Sequence, residues 1–217
     1  MKGGKFSIAA AVCAAAVCLF TADAARAVIV PFTETFDSSS GWTSDGNAFY
    51  GTFYSFAGAS EGDSPILFRA TGSNSPSGDA FAGDWITADV ATFSFDVYTT
   101  ADTPLTFFAR FATAANFPGV VIEDTTEVAA GTWTTITMDI DPSNPNLTVE
   151  GPPSFYDAAF GNIGNVQIGV VVDADVIGDT VVFGIDNVSL TAAPEPASMA
   201  ALGLGVLAMA RRRRRAA

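Results

Sequence analysis

The 217-residue chain has no histidine. That removes Ser-His-Asp and Cys-His nucleophilic catalysis, imidazole-bound zinc and histidine-based pH switching in a single stroke. Cysteine is almost as scarce: Cys13 and Cys18 lie near the start, and none follows. The body of the chain therefore has no disulfide, and its stability must come from a core or a bound ion. Positive charge is concentrated at the ends. Of ten Lys and Arg, Lys2, Lys5, Arg26 and the run 211–215 are terminal, leaving Arg69 and Arg110 alone between residues 28 and 193. No lysine remains there for a Schiff base or a phosphate-binding loop.

Acid dominates what is left. The whole chain carries a formal −13, but residues 28–193 hold twenty-one carboxylates against two guanidinium groups, a formal −19. A field of that sign repels nucleic acid and anionic lipid, attracts cations and keeps a surface soluble. Nucleic acid is accordingly excluded as a partner.

The two ends read as processing signals. Lys2 and Lys5 precede an apolar run from Phe6 to Phe20, and Ala25-Arg26-Ala27 offers small residues for cleavage. This is the layout of a secretory signal peptide, assigned to residues 1–27, and it implies the export machinery and a signal peptidase as partners. At the other end, Pro194-Glu195-Pro196 is followed by an uncharged stretch, 197–210, and then by Arg211, Arg212, Arg213, Arg214 and Arg215. Fourteen helical residues span about 21 Å against a hydrocarbon core of roughly 30 Å, so the segment crosses only with bilayer thinning or snorkelling arginines. The arginines favour the cytoplasmic side and place everything before Pro194 outside.

These three parts, in this order over residues 194–217, resemble the PEP-CTERM signal of bacterial surface proteins. The resemblance implies an exosortase-type membrane enzyme as partner, with the protein held in the envelope by its tail before processing and then at the surface or outside.

Between the ends, about 166 residues suffice for one domain. The pattern has period two and is rich in Phe, Val and Thr. Ala91 to Tyr98 alternates cleanly, with Phe93, Phe95 and Val97 on one side. Leu105 to Phe111 repeats the pattern after Thr103-Pro104, which predicts a hairpin. Further strands are expected at 131–140, 28–36, 48–56, 66–70 and 120–123. A closing pair, 165–172 and 180–191, is expected around the acidic loop 173–179, and one helical turn at 154–160. The fold class that follows is all-β: a two-sheet antiparallel sandwich of eight or nine strands, of jelly-roll type. A signal helix and a short transmembrane helix would flank it.

Phe32-Thr33-Glu34-Thr35-Phe36-Asp37 with Gly41-Trp42, then Gly131-Thr132-Trp133-Thr134 and Ile185-Asp186-Asn187-Val188-Ser189-Leu190, resemble strands of secreted carbohydrate-binding-module-like jelly rolls. The resemblance implies a structural calcium where the first strand meets the last, with Glu34, Asp37 and Asp186 as ligands beside backbone carbonyls. Calcium takes six to eight oxygens, and carboxylates from distant positions would cross-link the sheet edges. Asp173, Asp175 and Asp179 lack the glycine and glutamate that an EF-hand loop needs, so that loop reads as a charged, soluble turn.

Aromatic side chains offer flat faces to sugar rings. Tyr50, Tyr54, Trp85 and Tyr98 are the ligand candidates, while Trp42 and Trp133 are assigned to packing. With no catalytic cluster in view, the expected function is non-catalytic: adhesion or association with exopolysaccharide in the surface matrix. A glycoside hydrolase or polysaccharide lyase on the same sandwich, and a self-associating structural matrix component, are the alternatives. Intact-mass measurement on the native protein is expected to show loss of residues 1–27 and recovery from the envelope or medium. A full-length product free in the cytosol would contradict export.

Overall fold

Alternating apolar and hydrogen-bonding residues with few helix formers yield a chain dominated by strands. The computed structural model describes residues 28–37, 40–44 and 50–193. The signal segment, Pro194 to Pro196, the expected membrane segment and Arg211 to Arg215 lie outside the described residues. Among those described, no helix is long and apolar enough to cross a membrane.

Five strands build one sheet: Phe32–Glu34 (β1), Tyr50–Ser55 (β3), Val90–Thr99 (β5), Thr134–Asp139 (β8) and Thr180–Ala192 (β11). Thr43–Ser44 (β2), Ile66–Thr71 (β4), Phe107–Thr113 (β6), Gly119–Glu123 (β7), Leu147–Val149 (β9) and Ile163–Val170 (β10) build the other. The first has the order β1-β11-β5-β8, with β3 beside β11. Because β1 pairs with residues 188–190 and β3 with residues 180–184, these two strands lie end to end along one edge of β11. The second sheet has the order β2-β4-β10-β6-β7-β9, and every pairing is antiparallel. One short helix, Phe155–Phe160 (α1), packs on β6 and β7. The result is a two-sheet sandwich whose first and last strands are neighbours.

Two expected pairings are corrected. β5 and β6 do not form a hairpin: β5 pairs with β11 and β8, whereas β6 pairs with β10 and β7 in the opposite sheet. Likewise β10 and β11 lie in different sheets, so residues 173–179 bridge the sandwich instead of closing a hairpin. That bridge is anchored: Phe56 N–H donates to the Asp179 carbonyl at 2.8 Å and Val176 is buried. The physical reason is shared by both cases. Each strand buries one apolar face, and two such faces can meet across a core as readily as they can align side by side. Phe93 of β5 meets Phe111 of β6 edge-on at 5.1 Å, and Phe107 meets Phe183 of β11 at 6.0 Å. β2 and β9 are the strands missed by periodicity, being only two and three residues long.

Trp85, expected as an exposed sugar-stacking face, is 0% exposed and occupies the centre of the core. Its ring contacts Phe93, Phe111 and Phe160, and its Nε1–H donates to the Phe81 carbonyl at 2.9 Å. Burial of an indole is tolerated because its one polar atom finds that partner. Trp42 is buried as expected, with its Nε1–H donating to Ser77 Oγ at 2.9 Å.

Trp85 joins both sheets to α1, so its removal opens a cavity that no single element can close. Trp85→Ala is expected to destabilise the fold by about 3–5 kcal/mol. Chemical denaturation measures this, and a loss below about 1 kcal/mol would contradict the central role assigned to the indole.

Candidate functional sites on the two sheet faces

The outer face of the five-stranded sheet follows from strand parity. Phe93, Phe95 and Val97 point inward on β5, so Thr92, Ser94, Asp96 and Tyr98 point outward. On β8, Ile136 and Met138 point inward, which turns Thr135 and the preceding Trp133 outward. Tyr98 and Trp133 pair at 5.6 Å between ring centroids, and Trp133 is 43% exposed. Phe53 of β3 is 66% exposed on the same face. Among the four aromatic ligand candidates, Tyr98 alone is seen on this face. Tyr54 turns toward the core edge against Phe56, at 5.0 Å, and Tyr50's side chain lies outside the described atoms. Trp133, assigned to packing from sequence, is the exposed tryptophan. Its parity with Ile136 was the available signal.

Polar groups adjoin this aromatic pair. Asp96 lies opposite Asp186 in the β5–β11 register. A bulge follows, with Asn187 in the left-handed region at φ 49°. Asn187 Nδ2 donates to Asp96 Oδ2 at 2.8 Å, its N–H donates to Asp186 Oδ1 at 2.7 Å, and Thr135 donates to Asp96 Oδ1. Asn187 thus tethers two neighbouring carboxylates.

The three carboxylates expected to hold calcium are not gathered. Glu34 lies opposite Val188 and its Oε1 accepts from the Phe36 N–H, while Asp37 accepts from Thr35. Asp186 serves Asn187 instead. Among the described residues no group of three His, Cys, Asp or Glu side chains stands close enough to hold a metal ion. Each carboxylate instead accepts from local donors in its own turn or bulge.

The six-stranded sheet presents a different outer face. Register places Thr43, Arg69, Gln167, Arg110, Val121 and Thr148 in one row across it. The two basic residues of the domain therefore flank Gln167 from either side, about 10 Å apart at roughly 4.8 Å per strand. A groove of about 520 Å³ runs over this row, with Phe108 in its floor. Phe108 is only 3% exposed, and a Cβ at Gly169 would collide with its ring.

Arg110 is fully engaged. Its Nε and Nη2 donate to the two Glu150 carboxylate oxygens at 2.6 and 2.7 Å. Nη2 also donates to the Asn116 carbonyl, and Nη1 donates to Asn116 Oδ1 and Gln167 Oε1. All five guanidinium donors are thereby used. The pair lies flat over Gly119, where any side chain would overlap it. Arg69, by contrast, is exposed, and its guanidinium makes no hydrogen bond or ion pair with a described residue.

Displaced acidities lie apart from both faces. The Thr87 hydroxyl, with Thr87 and Ile86 N–H groups, holds Asp84 below the usual carboxylate range, and Ser143 does the same for Asp141. Burial, with Asp141 and Asp157 nearby, pushes the Tyr156 phenol up. Arg110→Met would strip Glu150 of its cation and break five hydrogen bonds, an expected loss of about 2–3 kcal/mol. Arg69→Met should stay within about 0.5 kcal/mol of the parent. Thermal unfolding of both variants checks this, and equal melting temperatures would refute it.

No curated protein matches the chain. Among solved structures, the L4b domain of human laminin alpha-2 aligns with 76% of this chain and 99% of its own length, at 10% identity and a TM-score of 0.42. Residues 192–215 match the model of the PEP-CTERM protein-sorting motif, two residues earlier than the tail expected from sequence. The match begins where β11 ends, beside the backbone bond from Ala193 N–H to the Asp89 carbonyl at 2.9 Å. The chain thus carries a PEP-CTERM sorting signal directly after its β-sandwich, which marks it as an exported protein, anchored in the membrane and then processed by exosortase at the cell surface.

Proposed function

We propose that the exported sandwich is a non-catalytic surface or matrix protein that associates with exopolysaccharide through the outer face of its five-stranded sheet. The observation that carries this reading is the Tyr98–Trp133 pair, with Trp133 exposed and Tyr98 half-buried, beside a hydrogen-bonded polar row, Asp96, Asn187 and Thr135. A sugar ring has an apolar C–H face and an equatorial belt of hydroxyls. An aromatic surface next to carboxylate and amide groups matches both parts.

Position supports the same reading. Val90 of β5 pairs with Ala192, the first residue of the sorting motif, and Tyr98 lies eight residues further along the strand. At roughly 3.4 Å per residue that separation is about 27 Å, so the aromatic pair sits at the end of the domain away from the tail. A protein tethered at Ala193 would hold this end outward, toward a surrounding matrix. The non-catalytic part of the reading is supported by the groove on the other sheet, where both oxygens of Glu150 are committed to Arg110. A net charge this negative also directs the protein toward neutral stretches of glycan and away from nucleic acid.

Affinity electrophoresis through the producing cell's own polysaccharide, with a neutral glucan as comparison, tests the proposal. Trp133→Ala is expected to weaken retention at least tenfold, equivalent to about 1.4 kcal/mol, without altering the melting temperature. Retention unchanged by Trp133→Ala and by Tyr98→Ala would sink the aromatic face as the contact.

A further inference from the structure

We propose that the groove on the six-stranded sheet is a second, independent binding site, and that it takes a single hexuronate residue set between neutral sugars. Arg69 would contact the sugar's carboxylate and the Gln167 amide would donate beside it.

Three features converge on that assignment. The first is the unequal fate of the two guanidinium groups. Arg110 has every donor occupied by Glu150, Asn116 and Gln167, so it cannot receive a ligand without being dismantled. Arg69 stands on the other side of Gln167 with its charge uncommitted among the described residues. An arginine fork is suited to a carboxylate, which it can hold through two parallel hydrogen bonds. In a domain of formal −19, an uncommitted cation in a groove is the local exception to the surrounding field.

The second feature is Gln167 itself. It is only 7% exposed, yet it lines the groove. Its Oε1 accepts from Arg110 Nη1 at 3.1 Å, which fixes which end of the amide is oxygen. The Nε2 group is left with no partner among the described residues. That donor is not sealed from solvent but opens into the groove, where water serves it until a ligand acceptor takes the water's place. The donor lies in the same row as Arg69, so one acceptor-rich group can serve both.

The third is the shape and lining. A volume of about 520 Å³ falls within the range of small-molecule sites, and Phe108 supplies an apolar floor. Ser64 and Thr148 offer hydroxyls at its margins. Glu123 also lines the groove and is exposed, and Glu150 is balanced by Arg110. A polymer with a carboxylate on every residue would set its next charge against Glu123 and the acidic domain, without a second free cation to meet it. Spacing by neutral sugars avoids that repulsion. The groove therefore selects for sparse acidity.

Isothermal titration of the protein as exported, at low salt, tests the assignment with three probes. They are an oligosaccharide alternating glucuronate with a neutral hexose, its carboxyl-reduced counterpart, and an oligogalacturonate of equal length. The alternating probe is expected to bind at least tenfold more tightly than either of the others. Arg69→Gln should abolish that preference while leaving the melting temperature unchanged, and Arg69→Lys should restore part of it. Trp133→Ala should leave uronate binding intact, which separates this site from the aromatic face. Equal affinity for the carboxyl-reduced probe, indifference to Arg69→Gln, or preference for the oligogalacturonate would each overturn the inference. Tighter binding of an N-acetylated dipeptide carboxylate than of the alternating probe would overturn it too.

Discussion

Contact between aromatic rings across the sandwich is the interaction on which the rest depends. With no disulfide available and almost no cations to pair with twenty-one carboxylates, the two sheets are joined by apolar packing. Trp85, Phe93, Phe111 and Phe160 form the centre, with rings 5.1 to 6.2 Å apart. Such contacts add to the area removed from water, since the edge-on meeting of Phe93 with Phe111 and the stacking of Trp85 on Phe93 are both arrangements that ring quadrupoles favour. They also fix which faces remain outside. Once Phe93 and Phe111 point inward, Tyr98, Arg69 and Arg110 have no choice but to face solvent.

Scarcity of positive charge shapes the surface in the same way. One guanidinium is locked into the sheet by Glu150 over Gly119, giving a partly exposed ion pair with every donor satisfied. The other, at the far side of Gln167, makes no hydrogen bond or ion pair with a described residue. A chain with many cations would have offered alternative partners to both. Here the division between a structural arginine and an available one is forced by how few there are.

The two outer faces consequently differ in chemistry. One carries exposed aromatic rings beside tethered carboxylates; the other carries a groove with a cation and a buried amide. On the readings proposed above they would take different saccharides: flat neutral sugars on the first, an isolated acidic sugar in the second. Under those proposals the exported protein would hold a mixed polysaccharide on two sides and so cross-link a matrix.

Export was legible in the sequence alone, because charge and apolar runs at chain ends act through linear order: Pro194-Glu195-Pro196, an uncharged stretch and five arginines. Strand parity was legible too, since the alternation around Phe93, Ile136 and Phe107 fixes which side each neighbour takes. Parity even marked Trp133 as outward, although a packing role was assigned to it. What the sequence did not contain was the partner of each strand. Nothing local distinguishes β5 and β6 aligned as a hairpin from the same strands facing each other across the core. Trp85 lies in a segment without periodicity, so its burial was decided by the cavity that β5, β6 and α1 leave between them. Arg69, Gln167 and Arg110 come from three strands nearly a hundred residues apart in sequence. Only the order β4-β10-β6 sets them in one row, because lateral pairing is a property of the assembled sheet and not of any stretch of chain.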